Sequence, residues 1–386
     1  SLPASAATSL DLTALLAATP AGGWVKASLG AFSEAWLLPG SPGALPDQSH
    51  TNPGSIVSAW GSMAWDSTRG NLLVWGGGHA NYIGNEMYIW EGATGRWTRG
   101  SMPSRIEQIS GVPGVDPRTW LVVDDAAPQS AHTQQSNLYL PVNDMFITFG
   151  DMVYNTGAGF QVRDSGGNLV KAGPWMWDPT KANANQVGGT TGSGYDPSAV
   201  GGNMWLNRAP TATGNSGFPG GLFQNNSTAY RTENGQDVVY ITKQSQYNTW
   251  PDLLRYAAGD VRNGGSDTWE LVGVSANVGS GPSAAAIDTR ANLYVHTAYV
   301  IPNSFELNVW DLSKRGSSNV DIGINLVLSD GSEFAIAEGA AIQYHPVDGG
   351  LWIWDGTDRG TVYRTHVTYN PDGSLATTWL VEELTS

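Results

Sequence analysis

The sequence predicts an all-β protein built from a repeated sheet unit. Three observations favour this fold class: 49 Gly and 21 Pro supply many turns, only 14% of the residues are charged, and 17 Trp, 14 Tyr and 8 Phe are spread along the chain. Ordinary soluble domains carry about 25% charged residues, and disordered segments lack aromatic residues. We therefore expect a turn-rich folded protein, and long surface helices and coiled coils are disfavoured.

The repeat consists of a short strand, a polar turn and a strongly apolar strand, and it occurs five times. The apolar strand has no polar alternation, which is the pattern of a strand covered on both faces of its sheet. The copies pair Met63–Asp66 with Leu72–Trp75, Leu138–Pro141 with Met145–Phe149, Ala229–Arg231 with Val238–Ile241, Ala286–Asp288 with Leu293–Val295, and Ile342–His345 with Leu351–Trp354.

The spacing of the copies gives the length of the unit. Equivalent positions are spaced by 73, 92, 56 and 58 residues, which indicates a unit close to 57 residues with insertions in the first two copies. Those positions are Asn71, Asp144, Gln236, Asn292 and Gly350. The stretches 102–129 and 183–221 are rich in Pro or in Gly, Asn, Thr and Ser, so we predict that they are the long loops.

The first copy continues with a glycine run and two aromatic positions. Gly76–His79 follow its apolar strand, and then come Glu86–Trp90, a turn at Gly92–Gly95 and Trp97. This order of a glycine doublet, a Tyr and a Trp resembles the kelch repeat of galactose-oxidase-type β-propellers. The resemblance implies a β-propeller of four-stranded blades around a central channel. Five blades are explicit, a sixth or a ring-closing strand is expected from Gly23–Ala27, and a seventh would also fit.

The domain organisation follows from this arrangement. Residues 1–22 are predicted to form a short N-terminal arm with one helix, capped by Asp11 and ended by Pro20. Residues 23–386 are predicted to form a single β-propeller domain.

Charge and composition exclude several functional classes. The formal net charge is −15, which disfavours nucleic-acid binding because such a field repels phosphate backbones. No stretch approaches the roughly 18 apolar residues of a membrane-spanning helix, so we expect no membrane insertion. The chain has no Cys, which excludes disulfides, thiolate metal sites and the Tyr–Cys copper centre of galactose oxidase. We expect no cofactor, although a structural Ca²⁺ ion would be compatible with the sequence.

The predicted binding site is the channel mouth, where the loops that lead into the inner strands meet those that leave the second strands. Many side chains there are aromatic or carry amides, and planar rings beside hydrogen-bonding groups suit the recognition of sugars. The same aromatic residues could instead pack between blades. The predicted substrate-binding residues are Trp60, Asn81, Asn225, Lys243, Tyr247, Trp250, His296, Tyr299, Glu338 and Asp358.

Two histidines predict acid–base chemistry at the same mouth. His79 follows the glycine run of the first copy and His132 precedes the inner strand of the second, so both imidazoles would face the channel mouth. Imidazole exchanges protons near neutral pH, and an arginine would neutralise a uronate carboxylate. If the chain is an enzyme, the predicted catalytic residues are His79, His132, Tyr82, Tyr154 and Arg359.

Three functions remain open at this stage. The favoured one is a carbohydrate-recognising propeller of receptor-binding type, either in a phage tail or virion or as a secreted binder of surface glycans. The second is a polysaccharide lyase or hydrolase, because certain β-propeller lyases use His, Tyr and Arg. The third is a protein-interaction propeller of kelch type. We expect a glycan partner, an extracellular or virion-associated location, and attachment to a larger assembly through the N-terminal arm.

Overall fold

The protein is almost entirely β-structure in a computed structural model, which confirms the predicted fold class: an all-β chain with the four-stranded blades of a β-propeller. The structure describes residues 10–20, 22–38, 40–45, 51–57, 61–77, 82–108, 120–122, 126–150, 159–190, 198–213, 226–243, 251–276, 283–297, 306–337, 339–354 and 360–384. The chain divides into two compact units, one formed by Ser1–Thr133 with Asn137–Arg208 and the other by Gln134–Ser136 with Ala209–Ser386.

The first unit contains two blades and two short hairpins. Its elements are helix α1 (Leu12–Ala18), 3₁₀ helices at Phe32–Ala35, Pro53–Val57 and Pro179–Lys181, and strands β1 (Met63–Asp66), β2 (Asn71–Val74), β3 (Tyr88–Glu91), β4 (Arg96–Arg99), β5 (Ile106–Gln108), β6 (Trp120–Val122), β7 (Asn137–Leu140), β8 (Met145–Thr148), β9 (Gln161–Arg163), β10 (Leu169–Lys171), β11 (Trp175–Trp177) and β12 (Trp205–Asn207). Blade 1 is the antiparallel sheet β1–β2–β3–β4, and blade 2 is β7–β8–β11–β12. β5 pairs with β6, and β9 pairs with β10.

The second unit contains three blades. Its elements are 3₁₀ helices at Ala209–Thr211 and Val261–Asn263, and strands β13 (Ala212–Thr213), β14 (Thr228–Glu233), β15 (Gln236–Lys243), β16 (Asp252–Ala257), β17 (Asp267–Val274), β18 (Ala285–Asp288), β19 (Leu293–Thr297), β20 (Leu307–Asp311), β21 (Ile322–Val327), β22 (Ala341–His345), β23 (Gly350–Trp354), β24 (Val362–Thr365) and β25 (Thr378–Glu383). Blades 3, 4 and 5 are β14–β17, β18–β21 and β22–β25. The outer strands β21 and β25 pair in parallel, which joins blades 4 and 5 into one sheet.

Each unit has its core between neighbouring blades. In the first unit, Leu73 of β2 and Trp75, the residue after β2, pack with Phe146 and Trp177 of blade 2. In the second unit, one cluster joins blades 3 and 4 and another joins blades 4 and 5. Strands β8 and β19 are buried at every position. This burial on both faces explains why the second strand of a copy is an unbroken apolar run.

The N-terminal predictions have different outcomes. Helix α1 is confirmed, and its cap Asp11 accepts a hydrogen bond from the backbone N–H of Ala14 at 2.9 Å. The strand predicted at Gly23–Ala27 is wrong, because this segment has no strand partner and Trp24 is 70% exposed. The described residues therefore contain five four-stranded blades. No helix among them is long and apolar enough to cross a membrane.

Within each unit, an arginine from the inner strand of a blade or from the turn after it donates a hydrogen bond to the next blade. The pairs are Arg69 with Asp144, Arg231 with Asn292, and Arg290 with the backbone carbonyl of Asp348. Asp144 and Asn292 occupy equivalent turn positions and have φ values of 55° and 54°. Asp and Asn tolerate this left-handed conformation better than other non-glycine residues. The acceptor position and the turn geometry are thus specified by the same residue.

We expect Arg69→Met to lower the free energy of unfolding by about 2 kcal/mol. The Arg69 guanidinium donates to both carboxylate oxygens of Asp144, at 2.6 and 2.8 Å, and to Asp66, whose side chain is fully buried. Removing it leaves the two carboxylates without this shared counter-charge. The measurement is urea denaturation. The control is Arg96→Met, since Arg96 lies 3.8 Å from Glu34 and both side chains are about half exposed. Exposed pairs contribute about 0–1 kcal/mol, so equal losses in the two variants would contradict the prediction.

Candidate functional site

Only some of the predicted site residues can be placed. Tyr82, His132, Lys243 and His296 belong to the described part of the chain. The others lie outside the described residues, and their roles stay predictions: His79, Tyr154, Arg359, Trp60, Asn81, Asn225, Tyr247, Trp250, Tyr299, Glu338 and Asp358.

The four placed residues fall in two different units. Tyr82 and His132 belong to the first unit, and both are buried, with 2% and 4% of their surface exposed. Lys243 ends β15 opposite Asp252 in the second unit, and His296 is buried in β19. Tyr82, His132 and His296 are thus buried, and their roles at a channel mouth stay predictions.

Blade 1 and the segment leading into blade 2 are joined beside Tyr82 and His132. The backbone N–H of Gly77 donates to the carbonyl of Ala131 at 2.8 Å, and the hydroxyl of Ser130 donates to the carbonyl of Tyr82 at 2.5 Å. His132 follows Ala131 directly. The structure therefore places the segment that carries His132 against the loop between β2 and β3, which carries Tyr82.

The glycine run of the first copy allows this close contact. A Cβ atom at Gly77 would lie 2.6 Å from the hydroxyl oxygen of Ser130 and 2.9 Å from the carbonyl oxygen of Tyr82. Only a residue without a side chain fits there. In the described part of the run, Gly77 thus allows two backbone segments to lie in close contact.

Beside Tyr82 lies a buried acid, Glu86, which was not among the predicted site residues. Glu86 is 2% exposed, and its Oε1 atom accepts hydrogen bonds from the hydroxyls of Tyr82 and, at 2.7 Å, of Tyr88. Its Oε2 atom is buried and has no hydrogen-bond partner. Gly84 makes room for this group, because a Cβ there would overlap the Tyr82 hydroxyl and Glu86 Oε2.

Burial determines the protonation of this cluster. It raises the pKa of Glu86, although hydrogen bonds from Tyr82 and Tyr88 act in the opposite direction. Burial and the neighbouring carboxyl also raise the pKa of both phenols, so they remain protonated and donate to Glu86. A carboxyl group with a raised pKa retains a proton that it can deliver to a bound molecule.

Glu86 and Tyr82 line a cleft in the first unit. The cleft has about 20 Å³ of space for water-sized molecules, which is room for about one water molecule. The remaining lining residues are Leu37, Ala44, Leu45, Thr51, Pro53 and Pro103. Most of the lining residues are apolar, and Thr51, Tyr82 and Glu86 are the polar ones.

The sequence did contain a signal for Glu86. It is the first residue of the run Glu86–Trp90, whose other members are all apolar or aromatic. An isolated acid beside a buried strand requires either exposure or hydrogen-bond donors, and two tyrosines within four positions supply donors. The run was interpreted as a strand of a blade, so no catalytic or binding role was predicted for Glu86.

Metal binding is not supported in the part of the chain that the structure describes. No group of three or more His, Cys, Asp or Glu side chains is arranged there to hold an ion. The expectation about cofactors stays a prediction.

Comparisons with known proteins add little beyond this geometry. No protein-family model and no curated protein matches the chain by sequence. One similar solved structure is an alpha-L-arabinanase from Penicillium chrysogenum complexed with arabinobiose, with a TM-score of 0.40 and 11% identity, covering 84% of this chain and 80% of that one. Another is an alpha-L-arabinofuranosidase from Fusarium graminearum in complex with an iminosugar inhibitor, with a TM-score of 0.31 and 11% identity, covering 83% and 92%.

Likenesses at these TM-scores say nothing about what the chain binds or does. The propeller fold follows from the chain's own sheet topology. The kelch resemblance of the first copy receives no support, because no family model matches.

Proposed function

We propose that the chain cleaves a polysaccharide beside the cleft that Tyr82 and Glu86 line in the first unit, with Glu86 as the proton donor. The supporting observation is a buried carboxyl of raised pKa that lines a cleft. Breaking a glycosidic bond requires an acid that protonates the leaving oxygen, and enzymes raise the pKa of a Glu by burial for this task. The hydroxyls of Tyr82 and Tyr88 donate to Oε1 of Glu86, so in this proposal Oε2 carries the proton that is delivered.

The base in this proposal is a histidine. His132 lies in the segment hydrogen-bonded to the Tyr82 loop, and His79 remains the predicted second imidazole. A neutral imidazole takes up a proton near pH 7. The histidine would remove a proton either from a water molecule, which gives hydrolysis, or from the carbon that bears a uronate carboxylate, which gives elimination. Both reactions use the same acid.

The test is incubation of the full chain with pectate, alginate, xylan and galactan. We expect new reducing ends from at least one polymer, and ultraviolet absorbance of an unsaturated product only if the reaction is an elimination. Affinity electrophoresis in the same polymers measures binding separately. Binding without new reducing ends would overturn the enzymatic proposal in favour of a carbohydrate-recognising propeller of receptor-binding type.

The histidine assignment has its own test. The double variant His79→Ala, His132→Ala is expected to lose cleavage by about a hundredfold, the usual contribution of acid–base catalysis being about 10²–10⁴. Full activity in this variant would remove both histidines from the mechanism while leaving the role of Glu86 intact.

A further inference from the structure

Two buried polar atoms on neighbouring strands of blade 4 have no hydrogen-bond partner. They are Nδ1 of His296, in β19, and Oδ1 of Asn308, in β20. The two residues are direct partners in the antiparallel pairing of these strands, so their side chains project from the same face. His296 is 3% exposed and Asn308 is fully buried.

The orientation of the Asn308 amide is fixed by an aspartate. Its Nδ2 atom donates to Oδ2 of Asp321 at 2.8 Å, and Oδ1 of Asp321 accepts from the backbone N–H of Ala276 at 2.6 Å. A carboxylate accepts but does not donate, so a flipped amide would lose this bond. Asn308 therefore presents its carbonyl oxygen at the unpartnered position.

The ring of His296 is fixed by aromatic contacts. Its centroid lies 6.5 Å from that of Tyr294, with the planes nearly parallel, and 6.2 Å from that of Trp310, edge to face. Burial lowers the pKa of His296 to about 3, so the ring is neutral at physiological pH. A neutral imidazole has one donor and one acceptor nitrogen.

A third unpartnered group lies at the same end of the blade. The Oγ atom of Ser283 is buried without a hydrogen-bond partner, and Ser283 lies two residues before Ala285, the strand partner of His296 on β18. Buried polar groups are nearly always paired, and each unpaired one costs about 1–3 kcal/mol. Blade 4 and the segment before it thus carry three unpaired buried groups, on Ser283, His296 and Asn308.

We propose that His296 and Asn308 bind one neutral hydroxyl-bearing molecule between Nδ1 and Oδ1. Asn308 Oδ1 can only accept, so the ligand must donate a hydrogen bond to it. A hydroxyl group can donate its hydrogen there and accept a hydrogen bond from Nδ1–H of the imidazole, in the tautomer that carries the proton on Nδ1. A charged ligand is disfavoured, because the neutral ring and the amide offer no opposite charge in a buried position.

The hydroxyl has two sources: a sugar residue or a water molecule. The sugar source rests on the proposed function and would make this a second carbohydrate site, in the second unit. The water source is independent of it. High-resolution crystal structures of the full chain, with and without a soak in a mixture of D-glucose and D-galactose, distinguish the two.

The expected result is an oxygen atom about 2.6–3.2 Å from both His296 Nδ1 and Asn308 Oδ1. A sugar oxygen after the soak supports the sugar source, and water in both crystals supports the water source and overturns the sugar source. An empty position in both crystals overturns the proposal. An ordered oxygen in a chain that cleaves no polysaccharide would refute only the proposed function.

Variants of His296 give a second test that does not depend on the wild-type crystals. His296→Asn places a polar atom where Nδ1 lies and is expected to retain the ordered oxygen, whereas His296→Phe is expected to lose it. If the sugar source is correct, His296→Phe also weakens sugar binding about tenfold and His296→Asn does not. Circular dichroism confirms that both variants are folded. An oxygen retained in His296→Phe would contradict the assignment of His296.

Discussion

Glu86→Gln is expected to lower the rate of polysaccharide cleavage at least about a hundredfold and to change polysaccharide binding by less than about threefold. The amide has the shape of the carboxyl group and still accepts hydrogen bonds from Tyr82 and Tyr88, but it holds no acidic proton. The loss should therefore appear in kcat and leave KM nearly unchanged. Equal losses in binding and in cleavage would instead assign Glu86 to substrate binding.

The pH profile separates the acid from a merely structural residue. Burial raises the pKa of Glu86, and the proposed reaction needs its protonated form. The wild-type rate should therefore fall as the pH rises through this raised pKa. The residual rate of Glu86→Gln should lack that fall. A descending limb retained in the variant would show that another group delivers the proton.

The same group makes stability depend on pH, and the direction can be worked out. A raised pKa means that the folded chain binds the proton of Glu86 more tightly than the unfolded chain does, for which the pKa is about 4.3. The free energy of unfolding therefore falls as the pH rises from about 4.3 to the raised pKa, and then levels off. Glu86→Gln should reduce this fall, whereas Glu34→Gln, at an exposed position of the same unit, should leave it unchanged.

The blades could be predicted from the sequence because the relevant signal is local. Strands such as β15 and β19 are covered on both faces, so their apolar runs are readable without knowing which strands they pair with. The strand predicted at Gly23–Ala27 shows the limit of this approach. A strand exists only if a partner strand lies beside it, and pairing depends on residues far away in the chain.

The candidate site was less predictable for the same reason. Tyr82 was predicted as a partner of the two histidines, whereas the raised pKa of Glu86 depends on burial that only the folded chain provides. His296 was expected at a channel mouth and lies buried within β19. Its neighbour Asn308 lies 12 positions further along the chain, and only the strand register places the two side by side.

A partly buried carboxylate in blade 3 carries the largest expected effect on stability. Oε1 of Glu233 accepts from Nε of Arg231 and from the hydroxyl of Tyr240, both at 2.6 Å, and Oε2 accepts from Nη2 of Arg255 at 2.7 Å. Burial alone would raise the pKa of Glu233, but these three donors outweigh it and lower the pKa to about 2. The ionised form is therefore the one that stabilises the fold.

Glu233→Gln is expected to lower the free energy of unfolding at pH 7 by about 3 kcal/mol, because two partly buried arginines lose their counter-charge. Since the pKa is depressed in the folded chain, this contribution is present above the ordinary Glu pKa of about 4.3 and is lost as the pH falls towards about 2. Wild type and variant should therefore differ most at neutral pH and converge in acid. Urea denaturation at several pH values measures both curves.

Glu270→Gln is the control, since Glu270 is 42% exposed and lies 3.1 Å from Arg315. This substitution should lower the free energy of unfolding by less than about 1 kcal/mol. A difference between wild type and Glu233→Gln that stays constant down to pH 2 would mean that the hydrogen-bond geometry, and not the charge of Glu233, stabilises blade 3.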